Sequence, residues 1–260
     1  MTHAEPAPRA HKPTPDATGN FGVVGVLGGM GPLATVDFMR KMLDATPAVT
    51  DQDHVPVVVS CIPQVPDRTE AFCGQGRSPL AAMVASGQRL VAAGVGNIVI
   101  PCNTAHLWFE EVQAAIDRPM IHLVDAALEE AIDAGGENGR IGLLATDATL
   151  ASGLYVNRSS PREAKRKVQW VLPTAAEMLE LVMPGIAAVK AGKLDIATNL
   201  LLGAARMLAR RGATAVVLGC TEIPIVLHAS NSPIPTIDAT AALARKAVAW
   251  STGSGRTILN

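Results

Sequence analysis

Along this chain, short and continuously apolar runs alternate with longer segments whose apolar residues recur every three or four positions. The runs are FGVVGVLG (21–28), HVPVVVSC (54–61), NIVIPC (97–102), RIGLLAT (140–146), VQWVLP (168–173) and AVVLGC (215–220). Runs of this length without polar alternation predict strands buried on both faces. Between them, helical spacing covers residues 33–45, 79–93, 123–134, 178–191, 196–210 and 240–251. Alternation of the two patterns predicts an α/β protein whose parallel sheets are covered by helices.

The alternation is written twice. VVGVLGGMGPLAT (23–35) is echoed by RIGLLATDATLAS (140–152), and IVIPCNTAH (98–106) by VVLGCTEIP (216–224). Gly142 lies 117 residues after Gly25, and Cys220 lies 118 residues after Cys102. Two landmarks displaced by nearly the same distance predict two pseudo-symmetric lobes, each ending a strand in Cys with Thr close behind. The expected organisation is an N-terminal extension over 1–20, a first lobe from 21–120 plus 235–260, and a second lobe from 121–234. Open α/β sheets bind ligands beyond the carboxyl ends of their strands, so the two thiols are expected to face one cleft.

Composition narrows the function classes. With 48% hydrophobic residues in 260, there is ample core for one domain or two modest ones. A net charge of −1 supplies no general field for nucleic acid or anionic membrane, and 3% aromatics offer no base-stacking surface. Residues 1–20, rich in Pro, Ala and polar residues, read as a disordered extension without the hydrophobic region of a secretory signal. No later stretch offers about 18 uninterrupted apolar residues for a membrane span. Four scattered cysteines, Cys61, Cys73, Cys102 and Cys220, fit free thiols in a reducing cytoplasm.

Two opposed thiols suit one kind of chemistry, in which a proton is removed from one face of a carbon and another is returned to the opposite face. For a single cysteine the ordinary reading is a small buried hydrophobe, and the matched pair reverses it. Cys61 and Cys73 have no matching partner and keep the structural reading. Zinc is a rival, with His106 at i+4 from Cys102 and His54 and His122 elsewhere, but no CxxC or HxxxH spacing supports it. A Cys102–Cys220 disulfide is the other rival, and a reducing compartment disfavours it.

GGMGPLAT (28–35) joins a strand to a helix that Pro32 can start. It reads either as a tight turn or as a backbone cradle for an anion, a carboxylate given the thiol pair. Neither GxGxxG nor a GK[ST] phosphate loop is present. PQVPDRTEAF (63–72) reads as a polar, extended loop whose Arg68 can grip a carboxylate in bidentate fashion. REAKRK (162–167) reads as an exposed charged face.

The motifs GVLGGMGPLAT, DQDHVPVVVS, PQVPDRTEA, IPCNTAH, GLLATDAT and LGCTEIP, in this order, resemble the aspartate/glutamate racemase superfamily, in particular its aspartate racemase branch. The resemblance runs from about residue 22 to the C-terminus. It implies two α/β lobes, a homodimer, and racemisation of an acidic amino acid without pyridoxal phosphate or metal. It also implies that Cys102 and Cys220 are the catalytic pair. Asn103, Thr104, Thr146 and Thr221 would then hold the α-carboxylate and amino group, with Met30 also in the substrate-binding set. Arg68 resembles the family's side-chain carboxylate clamp, and Lys190 a second basic residue of the same branch. Glu222 stands where glutamate racemases carry His, placed to orient Cys220 or relay its proton. Two positions depart from the pattern: Ala148 replaces a frequent Gly, which would change the turn at the ligand, and Cys61 replaces a small polar residue. The alternatives are a same-fold isomerase or decarboxylase of a dicarboxylate using one thiol, and a non-catalytic carboxylate-binding protein. Retention of both thiols and both basic residues weighs against them.

Overall fold

The computed structural model describes residues 21–135, 139–159 and 168–253; the expected extension over 1–20 and the charged face at 162–167 lie outside these. Among the described residues two parallel sheets of four strands form. The first contains β1 (Val24–Gly28), β2 (Val57–Cys61), β3 (Asn97–Val99) and β4 (Met120–Ile121), in the order β2-β1-β3-β4. The second contains β5 (Arg140–Ala145), β6 (Gln169–Val171), β7 (Ala215–Gly219) and β8 (Thr236–Asp238), in the order β6-β5-β7-β8. The two orders are one order, repeated, as the doubled sequence pattern requires.

Matched glycines mark the repeat in space. Gly25 sits on β1 between Val58 and Ile98, and Gly142 on β5 between Val171 and Val216. A methyl group on Gly25 would come within 2.9 Å of Val95, and one on Gly142 within 3.0 Å of Leu208. Each central strand thus leaves room at the same point for a neighbouring side chain. The central strands β1 and β7 are wholly buried, whereas β2, at a sheet edge, is only partly covered.

Helices fill the connections. In the first half these are α1 (Pro32–Ala45), α2 (Arg68–Phe72), α3 (Leu80–Ala92), α4 (Phe109–Ala115) and α5 (Leu123–Gly135). In the second they are α6 (Asp147–Ala151), α7 (Leu154–Ser159), α8 (Ala175–Glu177), α9 (Met183–Lys190), α10 (Leu194–Arg210) and α11 (Ala239–Ser251). The helix expected over 178–191 is interrupted: one π turn, Met178–Val182, separates α8 from α9. It sits just ahead of Pro184, which has no amide hydrogen to continue a regular helix.

One apolar core joins the lobes and two smaller ones flank it. The central core takes Val24, Phe38 and Leu128 from one half and Leu143, Val217 and Leu243 from the other. The flanking core of the first lobe includes Ile98 and Cys102, and that of the second includes Leu218 and Cys220. The lobes also exchange elements. Strand Thr236–Asp238 closes the second sheet, so the lobe boundary expected at 235 falls one strand early. Among the described residues only α11 returns to the first lobe, where Ser251 bonds Gly22 through both backbone and hydroxyl. Across this seam Lys41 on α1 reaches Asp238, the side-chain cap of α11, at 2.6 Å.

Cys61 and Cys73, expected as buried structural thiols, are both exposed, one at the end of the edge strand and one capping α2. Packing is therefore not what holds cysteine at these positions.

Candidate active site

The carboxyl ends of β1, β3, β5 and β7 all deliver residues to one small chamber between the lobes. Met30 follows β1, Cys102 follows β3, Thr146 follows β5 and Cys220 directly follows β7. All ten residues singled out in the sequence line this chamber: Met30, Arg68, Cys102, Asn103, Thr104, Thr146, Lys190, Cys220, Thr221 and Glu222. Asp67 and Thr69 complete the lining. Its volume of about 20 Å³ is room for roughly one water. An outer cavity of about 540 Å³ adjoins it. Apolar side chains of Leu33, Val65 and Val189 line the outer cavity, and Asp67, Arg68, Lys190 and Glu222 border both spaces.

The first-lobe side of the chamber is built on strand ends and short turns. Gly29 has φ +94, and a methyl there would strike the backbone of Ile62 at 2.4 Å. Its amide donates to Thr35 Oγ1 at 2.9 Å, and a methyl on Gly28 would strike the same threonine. These two glycines are thus explained by the tight turn, one of the two readings the motif allowed. The segment after Val65 is not the extended loop expected over 63–72. It enters α2 at Arg68, with Asp67 as cap accepting from the amides of Thr69 and Glu70. Arg68 Nη1 donates to the carbonyls of Val65 and Pro66, which anchors the guanidinium to its own turn beside the chamber. Burial works against the Asp67 carboxylate, but the Glu70 amide, Arg68 and Lys190 outweigh it and hold its pKa below the ordinary range. Lys190 itself ends α9, exposed at the rim of the chamber.

The two thiols are buried to similar depth, Cys102 6% and Cys220 5% exposed, yet they keep different company. Burial pushes the Cys102 thiol above its ordinary range; Arg68 pulls it back and Glu222 adds to the rise. Burial and then Glu222 push the Cys220 thiol well above that range. Glu222 acts by direct contact, since Cys220 Sγ donates to its Oε2 at 3.0 Å. Thr221 Oγ1 donates to the same oxygen at 3.4 Å.

His106 is not a proton donor to the chamber. Its Nε2 accepts from the amide of Leu123 at 3.1 Å, which leaves Nδ1 as the protonated nitrogen, donating to the carbonyl of Cys102 at 2.8 Å. Burial lowers its pKa to about 4, so the ring is neutral and fastens the Cys102 turn to the start of α5. With both nitrogens engaged, it has no lone pair to offer the zinc site weighed in the sequence.

Hydroxyls stitch the lobes at the chamber wall. Thr104 Oγ1 lies 3.0 Å from both Thr146 Oγ1 and Thr149 Oγ1, and Thr146 donates to Thr149 at 3.0 Å. Thr146 also caps α6. Ala148, the departure from the family's frequent glycine, lies buried within α6 in ordinary helical backbone, so no glycine is required there. Asn103 is 2% exposed; its Oδ1 accepts from the Tyr155 hydroxyl at 2.5 Å. Its Nδ2 has no protein partner among the described residues.

Four residues at or behind the chamber escaped the sequence reading: Asp67, Thr69, Thr149 and Tyr155. Asp67 carried a signal, since Asp followed three residues later by Glu70 marks a helix start. Tyr155 is the only tyrosine of the chain, which was the one available hint. Thr149 carried none.

Comparison with known proteins gives the family and the fold. Residues 27–247 match the family described as Asp/Glu/Hydantoin racemase. The chain is 28% identical over 234 residues to the broad specificity amino-acid racemase RacX of Bacillus subtilis (strain 168), covering 87% of this chain and 96% of that one. The aspartate racemase of Picrophilus torridus superposes with a TM-score of 0.79 at 31% identity, over 92% of this chain and 96% of that one. The glutamate racemase of Francisella tularensis subsp. tularensis SCHU S4, in complex with D-glutamate, shares the fold alone. Its TM-score is 0.59 at 16% identity, over 87% of this chain and 79% of that one. With a repeated α/β sheet, paired strand-end thiols and a match over most of its length, the chain belongs to the Asp/Glu/hydantoin racemase family and is an isomerase of the amino-acid racemase type.

Proposed function

We propose that this protein racemises an acidic amino acid, aspartate or glutamate, by proton transfer between Cys102 and Cys220 without pyridoxal phosphate. The observation that carries the reading is that two thiols, displaced by one repeat of the fold, line a single chamber bordered by Arg68 and Lys190. One cysteine, as thiolate, takes the α-proton. The other, as thiol, delivers a proton to the opposite face, and the roles exchange for the other enantiomer. The carbanion that develops is the costly species. Arg68, Lys190 and the donors Asn103, Thr104, Thr146 and Thr221 would stabilise it through groups fixed before the reaction begins.

The outer cavity supports an entry route. The chamber holds about one water, so the substrate enters from the wider space past the charged border, and the chamber widens around it. Names of relatives support an acidic substrate, through the aspartate racemase of Picrophilus torridus, while RacX of Bacillus subtilis is broad in specificity. One methylene in a pocket discriminates by only about 1–3 kcal/mol, so the two acidic substrates differ little in what they ask of the site.

We further propose a cytoplasmic homodimer. Free thiols favour the reducing compartment, and no helix among the described residues is long and apolar enough to cross a membrane. Exposed Val36 and Leu43 on α1, with Val59 on the edge strand, support a covered surface. Light scattering on the pure protein tests the dimer.

The decisive experiment incubates L-aspartate, L-glutamate and a panel of other amino acids in heavy water with reduced enzyme, following the α-proton by NMR. Exchange with inversion is expected for an acidic amino acid. No exchange with any acidic amino acid would remove the reading.

A further inference from the structure

We propose that Tyr155 is a positioning residue that fixes the carboxamide of Asn103, so that its Nδ2 donates to the substrate α-carboxylate. The inference rests on the function proposed above, and it adds a residue from the other lobe that no motif marks. Tyr155 lies on α7 of the second lobe, fully buried, its ring edge-on to Trp170 at 6.1 Å. Asn103 follows Cys102 in the first lobe and lines the chamber. The bond between them at 2.5 Å therefore crosses the lobe interface, 52 residues apart in sequence.

The orientation of an Asn amide is decided by its hydrogen bonds. Burial raises the Tyr155 pKa, so the hydroxyl keeps its proton. The one acceptor it meets among the described residues is Asn103 Oδ1. Turning the amide over would set an N–H against the hydroxyl and leave the phenolic proton with no acceptor in a fully buried place. The Oδ1 end is thus fixed on Tyr155, and the Nδ2 end is left without a protein acceptor in a residue only 2% exposed. Buried donors in folded proteins are almost always paired, so an orphan beside a chamber marks a ligand position. The orphan is a neutral donor beside a catalytic thiol, which suits an anionic oxygen and not an ammonium group. Without the tyrosine hydroxyl the amide is free to rotate and present its own oxygen to the carboxylate, which repels it.

Tyr155→Phe keeps the ring and removes only the hydroxyl. It is expected to raise KM about tenfold while kcat changes less than threefold, since a hydrogen bond to a charged group is at stake and not the proton transfer. Asn103→Ala should raise KM to a similar extent, and adding Tyr155→Phe to it should change nothing further, because the hydroxyl acts only through the amide. An unchanged KM in Tyr155→Phe, or multiplicative effects in the double variant, would overturn the proposal. A readout independent of turnover separates it from the racemase reading. The Asn103 side-chain 15N–H2 signals, assigned by their absence in Asn103→Ala, should shift in Tyr155→Phe. If wild type turns over no amino acid, the racemase reading fails, and unshifted amide signals would still refute the Tyr155–Asn103 bond by themselves.

Discussion

The two lobes present the same atom, a cysteine sulfur at a strand end, in two different electrical settings. Cys102 sits on a turn anchored through its carbonyl by neutral His106, and Arg68 offsets part of the desolvation of its thiolate. The Cys220 thiol instead donates straight to the Glu222 carboxylate. Repetition of the fold therefore supplies matched, buried positions, and the charged groups around each cysteine, Arg68 for one and Glu222 for the other, make its setting its own. The difference teaches that a racemase of this kind need not rest symmetrically. Arg68 pulls against the rise at Cys102, whereas at Cys220 the bonded Glu222 carboxylate adds to it.

Removing either sulfur tests the comparison most severely. Cys102→Ser and Cys220→Ser are each expected to lower racemisation by about a thousandfold or more, since serine hydroxyls are far weaker acids. Racemisation by chiral chromatography measures this, and full activity in either variant would rule out two-base transfer.

Glu222→Gln should erase much of the asymmetry. Without the carboxylate, the Cys220 pKa falls, so alkylation of Cys220 by iodoacetamide at pH 8 should quicken by about tenfold, read by mass spectrometry of the peptide. Racemisation should fall by about tenfold at the same time, because the resting protonation of the pair is disturbed. Slower or unchanged alkylation of Cys220 would contradict the role given to Glu222.

The pH profile sharpens the same point. Both thiols are raised above their ordinary value near 9, chiefly by burial. A base with a raised pKa is mostly protonated at neutral pH, so kcat/KM should climb close to tenfold per unit as pH rises from 7 to 9. A plateau already reached at pH 7 would contradict a base that burial holds protonated.

The smallest effect on activity, but a definite one on stability, belongs to the His106 brace. The unfolded imidazole takes up its proton near 6.5, whereas the folded ring does so only at about 4. Between these values the unfolded chain binds more protons, so stability falls as pH falls and is unaffected above 6.5. The loss should reach about 3 kcal/mol at the lower limit. Urea titrations at pH 7 and pH 4.5 measure it, and His106→Gln, which keeps a donor and an acceptor but cannot take up the proton, should flatten this part of the curve.

By itself the sequence determined the layer architecture, because continuous apolar runs and helical periodicity record local burial, and burial is what orders strands and helices. It also determined the duplication and the pairing of Cys102 with Cys220, because equal spacing survives in the linear chain. Very short elements escaped it: two-residue β4 and three-residue β8 carry too few positions to show a pattern, and α2 was hidden among prolines despite the Asp67 cap. The tertiary structure alone decided that Thr104 meets Thr149 and that Tyr155 meets Asn103, pairs 45 and 52 residues apart. It alone also decided that Cys61 and Cys73 face outward. Contacts between lobes depend on how two finished sheets dock, and no periodicity along one strand encodes the side chain that will arrive from the other.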